Sequence, residues 1–232
     1  MVLGAPGYES QGDIPMNMLV ADDHALFRAG LKDLLGRLEA GITVLEAEDY
    51  PQVRRHLREQ PDLDLALLDL FMPGMNEIEG VQGLLQDHPT LPVVIVSASL
   101  EPSHMQAALS AGAMGYIPKH ASPDLLLSAL RLVLSGGIYV PPDLLGGDAV
   151  PEAEGLAHTR IPGDTIDLTS RQAQVLELLL AGCQNKSIAR DLDISEGTVK
   201  AHLGAIFKVL GVSNRTQAVL RAVDVRITVR ND

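Results

Sequence analysis

The chain has 232 residues, a formal net charge of −12 and a hydrophobic fraction of 46%. That length suffices for two domains, and an aromatic content of 3% without Trp means that their cores are aliphatic. Cys183 is the single cysteine, which excludes an intrachain disulfide and fits a reducing cytosol. No apolar run approaches the ~18 residues that span a bilayer. The N-terminus also lacks a basic stretch followed by an apolar core, so we expect neither a membrane anchor nor a secretory signal.

Charge is unevenly distributed along the chain. Residues 1–164 carry 9 basic and 23 acidic side chains, a net charge of −14. Residues 165–232 carry 9 basic and 7 acidic side chains, a net charge of +2. This asymmetry indicates two parts with different partners.

The first elements follow a regular alternation. Residues 1–15 are Gly, Pro and polar residues without periodicity, and we expect a disordered leader there. The domain that follows is placed at 16–140. Strands are predicted at 18–22, 42–47, 64–69, 92–97 and 113–117, and helices at 25–38, 49–59, 77–87, 101–111 and 123–135. Apolar runs alternating with amphipathic stretches are typical of parallel βα units in a doubly wound sheet.

The second half of the chain changes character. Proline, glycine and acidic residues dominate 141–166, which predicts a flexible linker. Four helices are predicted within 167–225, and their second and third have the spacing of a helix-turn-helix. The predicted N-terminal caps are Thr169 (in a capping box with Gln172), Asn185, Ser195 and Asn214. No structure is predicted for the tail, 226–232.

Four of the five apolar strands carry polar side chains at their carboxyl ends. Asp22 and Asp23 end the first, Asp69 the third, Ser97 the fourth, and Lys119 follows the fifth. In parallel sheets these ends form one edge, where ligands bind. Three carboxylates repel one another unless a hard cation such as Mg²⁺ joins them. A carboxylate held there can accept a phosphoryl group. We therefore predict Asp69 as the acceptor, with Lys119 and Ser97 binding the phosphoryl oxygens.

A site built on strands one, three, four and five implies a flavodoxin-like (βα)5 fold with strand order 2-1-3-4-5. The segments that carry a family resemblance are 20–24, 67–74, 97–98 and 116–119. Together they resemble the receiver domain of two-component response regulators. The resemblance implies a histidine kinase as phosphodonor and Mg²⁺ held by Asp22, Asp23, Asp69 and the backbone carbonyl of Phe71. It also implies that Tyr116 swings inward when the domain is phosphorylated.

The third helix of the C-terminal part has two distinct faces. At about 100° per residue, four apolar side chains share one band that we predict to be buried: Val199, Leu203, Ile206 and Leu210. Small residues lie roughly opposite, and a helix with such a face can approach bases in a major groove. Lys200 is predicted to reach a guanine edge or a phosphate, and Ala201 a thymine methyl. The other predicted DNA contacts are Ser195, Thr198, Gly204, Lys208 and Arg215.

The C-terminal part carries a second resemblance. Segments 168–171, 185–189, 194–202 and 210–218 resemble the LuxR-type DNA-binding domain. Residues 16–225 as a whole resemble the NarL/FixJ group of response regulators. The resemblance implies a cytoplasmic bacterial transcription regulator that partners a sensor histidine kinase and promoter DNA. It implies a phosphoacceptor protein with at most slow self-dephosphorylation, rather than an enzyme.

Several residues depart from the family pattern. Glu77 stands where Gly is usual, Gly204 where a basic or polar residue is frequent, Val209 where Lys is usual, and Gln172 where Glu is usual. With few basic groups in its third helix and a net charge of only +2, the domain is expected to bind DNA modestly as a monomer. Two half-sites are then needed, which predicts a homodimer on activation.

Two alternatives remain open at this point. A receiver that acts without phosphorylation would keep the DNA-binding output, and Glu77 and the leader leave room for it. A phosphatase of the haloacid dehalogenase type also uses an aspartyl nucleophile with Mg²⁺. Such an enzyme has a second acid two residues after the nucleophile, where this chain has Phe71, which cannot transfer a proton.

Overall fold

The computed structural model describes residues 15–38, 41–144, 165–222 and 225–230. The predicted leader lies almost wholly outside these ranges, as does most of the predicted linker. The described residues up to Leu144 form one domain with its own cores, and the described residues from Thr165 onward form a second.

The first domain is a five-stranded parallel sheet with the order β2-β1-β3-β4-β5. Its strands are β1 Asn17–Ala21, β2 Thr43–Ala47, β3 Leu65–Leu68, β4 Val93–Ser97 and β5 Gly115–Pro118. Its helices are α1 Ala25–Leu35, α2 Tyr50–Glu59, α3 Glu77–Asp87, α4 Pro102–Ala111 and α5 Pro123–Leu134. A short 3-10 helix, Pro142–Leu144, follows. The predicted strand order and all ten predicted elements of this domain are confirmed.

Strand β3 shows why the sheet forms. All four of its side chains are buried, because helices cover both faces of the sheet. Ala66 and Leu68 pack in one apolar layer with α2, α3 and α4. Leu65 and Leu67 pack in the other layer with α1 and α5. We call the side of the sheet where the strands end the carboxyl edge and the opposite side the amino edge.

The second domain contains four helices flanked by two strands. The elements are β6 Thr165–Thr169, α6 Ser170–Leu180, α7 Asn185–Asp191, α8 Glu196–Leu210, α9 Arg215–Ala222 and β7 Arg226–Arg230. The four predicted helices are confirmed. The strand pair was not predicted: β6 and β7 pair in parallel, so ordered structure begins before residue 167 and extends into the predicted tail. A single five-residue strand is a weak signal when its partner is distant in sequence.

Three of the four predicted helix caps are confirmed. Thr169 closes a capping box, Ser195 accepts a backbone N–H of its own first turn, and Asn214 Oδ1 accepts the N–H of Gln217 at 2.9 Å. The prediction for Asn185 is wrong. Helix α7 begins one residue earlier, after an N-cap that makes no side-chain bond, and Asn185 Oδ1 is buried without a hydrogen-bond partner among the described residues.

The second domain is docked on the amino edge of the sheet. The backbone N–H of Arg215 donates to the carbonyl of Pro89 at 3.0 Å. At the turn before α7, Gly182 has a φ of 85° and lies against the end of α5, where a Cβ would stand 1.8 Å from the carbonyl oxygen of Ser135. Only glycine permits so close an approach of two backbones. We call this docking the closed arrangement.

Candidate phosphorylation site and DNA-binding surface

Three of the predicted site residues meet at the carboxyl edge. Lys119 Nζ lies 2.7 Å from Asp22 Oδ2 and 2.8 Å from Asp69 Oδ2. Both carboxylates are buried, with Asp22 2% and Asp69 3% exposed. The residues follow β1, β3 and β5, so the structure joins groups that are remote in sequence.

Backbone bonds between neighbouring strand ends hold this group in place. The N–H of Asp69 donates to the carbonyl of Ala21 at 2.8 Å, and the N–H of Lys119 donates to the carbonyl of Ser97 at 2.8 Å. The chain turns back after β3, so that the N–H of Phe71 donates to Asp69 Oδ1 at 3.3 Å. The orientation of the Asp69 carboxylate is therefore set by the sheet and by its own turn.

Lys119 carries the compensating charge of the site. Burial opposes its ammonium form, but hydrogen bonds and charge from Asp22 and Asp69 outweigh burial and raise its pKa. Its Nζ also lies 5.0 Å from the centre of the Phe27 ring. One ammonium thus bridges two buried carboxylates and offsets their mutual repulsion, leaving a net charge of −1 on the three groups.

The donor set fits a hard divalent cation. Asp22, Asp23, His24 and Asp69 each offer a ligand atom, and these atoms lie within 4.8 Å of one another. The buried Oδ2 of Asp22 lies 2.7 Å from Lys119 Nζ and has no other hydrogen-bond partner among the described residues. Carboxylate oxygens with free lone pairs are the ligands that Mg²⁺ prefers. His24 was not predicted here; its Nδ1 lies 2.6 Å from Asp23 Oδ1.

Ser97 and Tyr116 lie on the next two strands. Ser97 is fully buried and its Oγ accepts the N–H of Ser99 at 3.3 Å. Tyr116 is also fully buried, and its hydroxyl donates to the carbonyl of Ser99 at 3.0 Å. Burial raises the pKa of this phenol. The expected inward swing of Tyr116 does not fit this structure, because the ring is already inside.

The predicted faces of the third C-terminal helix, α8, are confirmed. Val199, Leu203 and Ile206 are fully buried. Ala201 and Gly204 on the opposite face are exposed. Lys208 is exposed as well, while the hydroxyls of Ser195 and Thr198 bond to each other at 2.8 Å.

Lys200 and Arg215 are occupied by other contacts in the closed arrangement. Lys200 Nζ donates to Asp62 Oδ1 at 2.7 Å and to the carbonyl of Pro61 at 2.5 Å, both in the loop before β3. Arg215 is 3% exposed and donates to the carbonyl of Cys183 at 2.8 Å. Burial lowers its pKa to about 10. The predicted phosphate contact of Arg215 does not fit this arrangement, because the guanidinium is enclosed.

Comparisons with known proteins agree with both halves of the site. A family model described as response regulator receiver domain matches residues 18–131, and one described as bacterial regulatory proteins, luxR family, matches residues 167–222. The glycerol metabolism activator of Pseudomonas putida is 39% identical over 217 residues, covering 91% of this chain and 96% of that protein. The chain belongs to the NarL/FixJ group of two-component response regulators.

Other relatives support the same assignment. The nitrate/nitrite response regulator NarL of Escherichia coli K12 is 34% identical over 206 residues, which cover 89% of this chain and 94% of NarL. A solved RcsB–DNA complex is similar in fold, with a TM-score of 0.53 and 23% identity over 91% of this chain and 99% of that one. This response regulator is therefore a transcription regulator with a receiver domain and a LuxR-type DNA-binding domain.

One pair of functional residues in the response regulator was missed by sequence reasoning. Lys186 Nζ on α7 lies 2.7 Å from Asp64 Oδ2, and the side chains are 14% and 5% exposed. The same carboxylate oxygen accepts the N–H of Asn17 at 2.7 Å. The two partners are 122 residues apart. Lys186 belongs to a segment that resembles the LuxR-type domain, but Asp64 lies in another domain, so no local signal marked the contact.

The departure at Glu77 also acquires a structural meaning in this response regulator. Glu77 has a φ of 40°, in the left-handed region that glycine adopts without strain. It is the first residue of α3, just after the loop that carries Asp69. The glycine that is usual in the family would suit this backbone better.

Among the described residues, no helix has the length and apolar character that a bilayer crossing requires.

Proposed function

We propose that this response regulator accepts a phosphoryl group on Asp69 from a sensor histidine kinase and then releases its DNA-binding domain to promoter DNA. The observation that carries the proposal is the ion-paired cluster in which Lys119 Nζ lies 2.8 Å from Asp69 Oδ2 and 2.7 Å from Asp22 Oδ2. A buried nucleophilic carboxylate, a neighbouring acid and a cation are what phosphoryl transfer to an aspartate requires.

Each residue has a definite role in the transfer. An oxygen of Asp69 forms a bond to phosphorus while the phosphorus–nitrogen bond of the phosphohistidine breaks. Lys119 moves its contact from the carboxylate to a phosphoryl oxygen, and the Ser97 hydroxyl donates to another. Asp22, Asp23, Asp69 and the backbone carbonyl of Phe71 would hold Mg²⁺, which would supply positive charge to offset that of the transferring group. The adduct can be lost again by slow self-dephosphorylation.

The closed arrangement supplies the off state. Lys200 is held by Asp62 and Lys186 is held by Asp64, so neither lysine is available to a phosphate of DNA. Phosphorylation adds about −1.5 to −2 of charge at the opposite edge of the sheet. Opening frees α8 to enter a major groove of the DNA. Lys200 and Ala201 then face the bases. The residues that face the DNA backbone or the wall of the groove are Ser195, Thr198, Gly204 and Lys208.

The DNA-bound form is proposed to be a homodimer. The C-terminal part has a net charge of +2, which provides few phosphate contacts for one domain. Binding two half-sites joins two such weak contacts, because the second domain is then delivered at high effective concentration. Promoter DNA and the kinase's catalytic domain meet in the bacterial cytoplasm, which is the proposed location.

The test combines mass and DNA affinity. The protein is incubated with a small phosphodonor and Mg²⁺, and its intact mass is expected to rise by ~80 Da for one phosphoryl group. Asp69→Asn should lose this gain, while Asp87→Asn, an exposed aspartate far from the pocket, should keep it. DNA selected from a random pool should bind the phosphorylated protein more tightly. A mass gain that persists in Asp69→Asn would contradict the assignment.

One observation favours a second function, a receiver that acts without phosphorylation. Tyr116 is already fully buried with its hydroxyl bonded to the Ser99 carbonyl, so one predicted consequence of phosphorylation is present beforehand. In that case Asp69→Asn would leave DNA binding unchanged. The same variant therefore separates the two functions.

A further inference from the structure

Helix α4 connects the two functional edges of the receiver. It begins at Pro102, after the loop that follows β4 at the carboxyl edge, and ends at Ala111 beside the amino edge. Its 10 residues correspond to a rod of about 15 Å. Met105 and Ala108 anchor it in the core, so that a displacement at one end is transmitted to the other.

His104 in the first turn of α4 contacts both loops that flank the phosphoacceptor. Its ring packs edge-on against the ring of Phe71, with centroids 5.4 Å apart and an interplanar angle of 67°. Its Nδ1 lies 2.8 Å from the Oγ of Ser99. Phe71 follows Asp69 by two residues and Ser99 follows Ser97 by two residues. One imidazole thus joins the loop of the nucleophile to the loop of the phosphate-binding hydroxyl.

The other end of α4 is capped by the DNA-binding domain. The last carbonyls of a helix have no partner within the helix. Here Asn214 Nδ2 donates to the carbonyl of Ala111 at 3.2 Å, and Thr216 Oγ1 donates to the carbonyl of Gly112 at 2.7 Å. Both donors are buried. These bonds exist only while the two domains are closed.

We propose that His104 is a positioning residue that couples the phosphoacceptor site to the DNA-binding domain through α4. The inference rests on the proposed function and specifies its route. Movement of Ser97 toward a phosphoryl group displaces the Ser99 loop, and His104 carries that displacement into α4. A shift of about 1 Å at Gly112 lengthens its bond to Thr216 beyond the limit of a hydrogen bond, which uncaps α4 and favours opening.

The experiment separates coupling from phosphorylation and from folding. His104→Ala is prepared in the full chain, with Gln106→Ala, an exposed residue of the same helix, as the matched control. Phosphoryl uptake is read from intact mass, and DNA affinity is measured with and without the phosphodonor. His104→Ala is expected to gain the same mass as the unsubstituted protein. The increase in its DNA affinity on phosphorylation should be about 5-fold smaller or more, while Gln106→Ala keeps the full increase.

Two further variants make the result decisive. Thr216→Val removes the bond at the far end of α4, and should raise the DNA affinity of the unphosphorylated protein without changing its mass gain. Should His104→Ala fail to fold, His104→Phe retains the ring contact with Phe71 and His104→Asn retains a polar contact with Ser99, and each should lose part of the coupling.

Full coupling in the folded His104→Ala variant, or in both His104→Phe and His104→Asn, overturns the inference. Failure of the proposed function has a different signature. It shows in the unsubstituted protein, as no mass gain or as no change of DNA affinity on phosphorylation. The unsubstituted protein alone therefore reveals a failure of the proposed function.

Discussion

Each edge of the receiver sheet holds a buried ion pair between a lysine and a carboxylate, but the two ion pairs have different roles. At the carboxyl edge Lys119 joins Asp22 and Asp69; at the amino edge Lys186 meets Asp64. The two lysine side chains are similarly buried, at 15% and 14% exposed, so desolvation does not distinguish the sites. What differs is the origin of the partners. The first group comes from one domain, while the second joins two domains and is lost when they part.

The backbones of the two edges also differ. At the carboxyl edge a non-glycine residue, Glu77, occupies a left-handed conformation with a φ of 40°. At the amino edge the left-handed positions that contact the other domain are glycines: Gly112, Gly136 and Gly182, with φ of 110°, 81° and 85°. Strain is thus stored beside the reacting group and avoided at the docking surface. The glycines let two backbones approach closely at the docking surface, whereas Glu77 holds an unfavourable conformation beside the reaction site.

The largest effect is expected from Lys119→Met. Without the ammonium, the buried carboxylates of Asp22 and Asp69 repel each other, and the free energy of unfolding of the receiver should fall by about 3–5 kcal/mol in the absence of Mg²⁺. Urea unfolding with and without Mg²⁺ measures this, and Mg²⁺ should restore more stability to the variant than to the parent. Lys32→Met, which removes a half-exposed lysine paired with Glu46, should have a much smaller effect, because solvent screens an exposed ion pair. Equal losses would refute the contrast.

Asp64→Asn should open the amino edge while leaving the carboxyl edge intact. The variant keeps an acceptor for the N–H of Asn17 but leaves the charge of Lys186 without its partner in the closed arrangement. DNA affinity of the unphosphorylated protein should rise at least about tenfold, or ~1.4 kcal/mol. Fluorescence anisotropy on selected DNA measures it. Asp87→Asn makes the same charge change on the receiver surface and should have no effect; a rise in that variant would point to net charge instead.

Glu77→Gly should relieve the strain at the carboxyl edge. A left-handed backbone costs a residue with a side chain about 1–2 kcal/mol, and the lost carboxylate at the start of α3 offsets part of the gain. We expect chemical denaturation to give a free energy of unfolding about 1 kcal/mol higher for this variant than for the parent protein. Glu77→Ala keeps the side-chain constraint, so it should show no such gain. The idea fails if the two variants are equally stable.

The smallest effect concerns pH at the amino edge. Glu196 lies near Asp62, Asp64, Lys186 and Lys200; burial, then repulsion from the aspartates, raises its pKa above the ordinary 4.5 despite the lysines. The closed form therefore binds a proton more readily than the open form. As pH falls through the raised pKa toward 4.5, closing becomes more favourable, and above that window nothing changes.

Small-angle scattering, measured as a function of pH, reports how compact the protein is and so tests whether docking of the domains depends on pH. The parent protein should become more compact on mild acidification, whereas Glu196→Gln, which cannot titrate, should be equally compact throughout. An identical acid response in both proteins would assign it to another group. The unchanged carboxyl edge can be followed in parallel by phosphoryl uptake.

Most of the receiver could be predicted because its signals are local. In the receiver, the apolar run of β3 is followed by Asp69 and a Pro-Gly turn. In the DNA-binding domain, the signal of α8 is local as well, because Val199, Leu203 and Ile206 repeat at helical spacing. The resemblance supplied the roles of the site residues, which the geometry brings together for Asp22, Asp69 and Lys119. For His24 the sequence favoured a surface or packing role, and the structure places its ring beside Asp22 and Asp23.

The contacts that were missed are those between the domains. Lys200 and Asp62 are 138 residues apart, and Asn185 and Arg215 line a cavity together with Asp64 and Pro92 of the receiver. Asn185 was read as a helix cap on sequence spacing, which cannot show whether an oxygen faces its own helix or an interface. Strand β7 was missed for a different reason: its partner β6 belongs to the same domain but lies at the other end of that domain's sequence.

The amino-acid sequence by itself determined the order of the strands and the cluster at the carboxyl edge. Hydrophobic periodicity sets the strands, and a parallel sheet necessarily gathers their carboxyl ends, so the reacting groups had to meet. The tertiary structure alone decided which surface of the receiver holds the DNA-binding domain. That choice depends on the fit of two folded surfaces and on charges placed far apart in the chain, which no local pattern encodes.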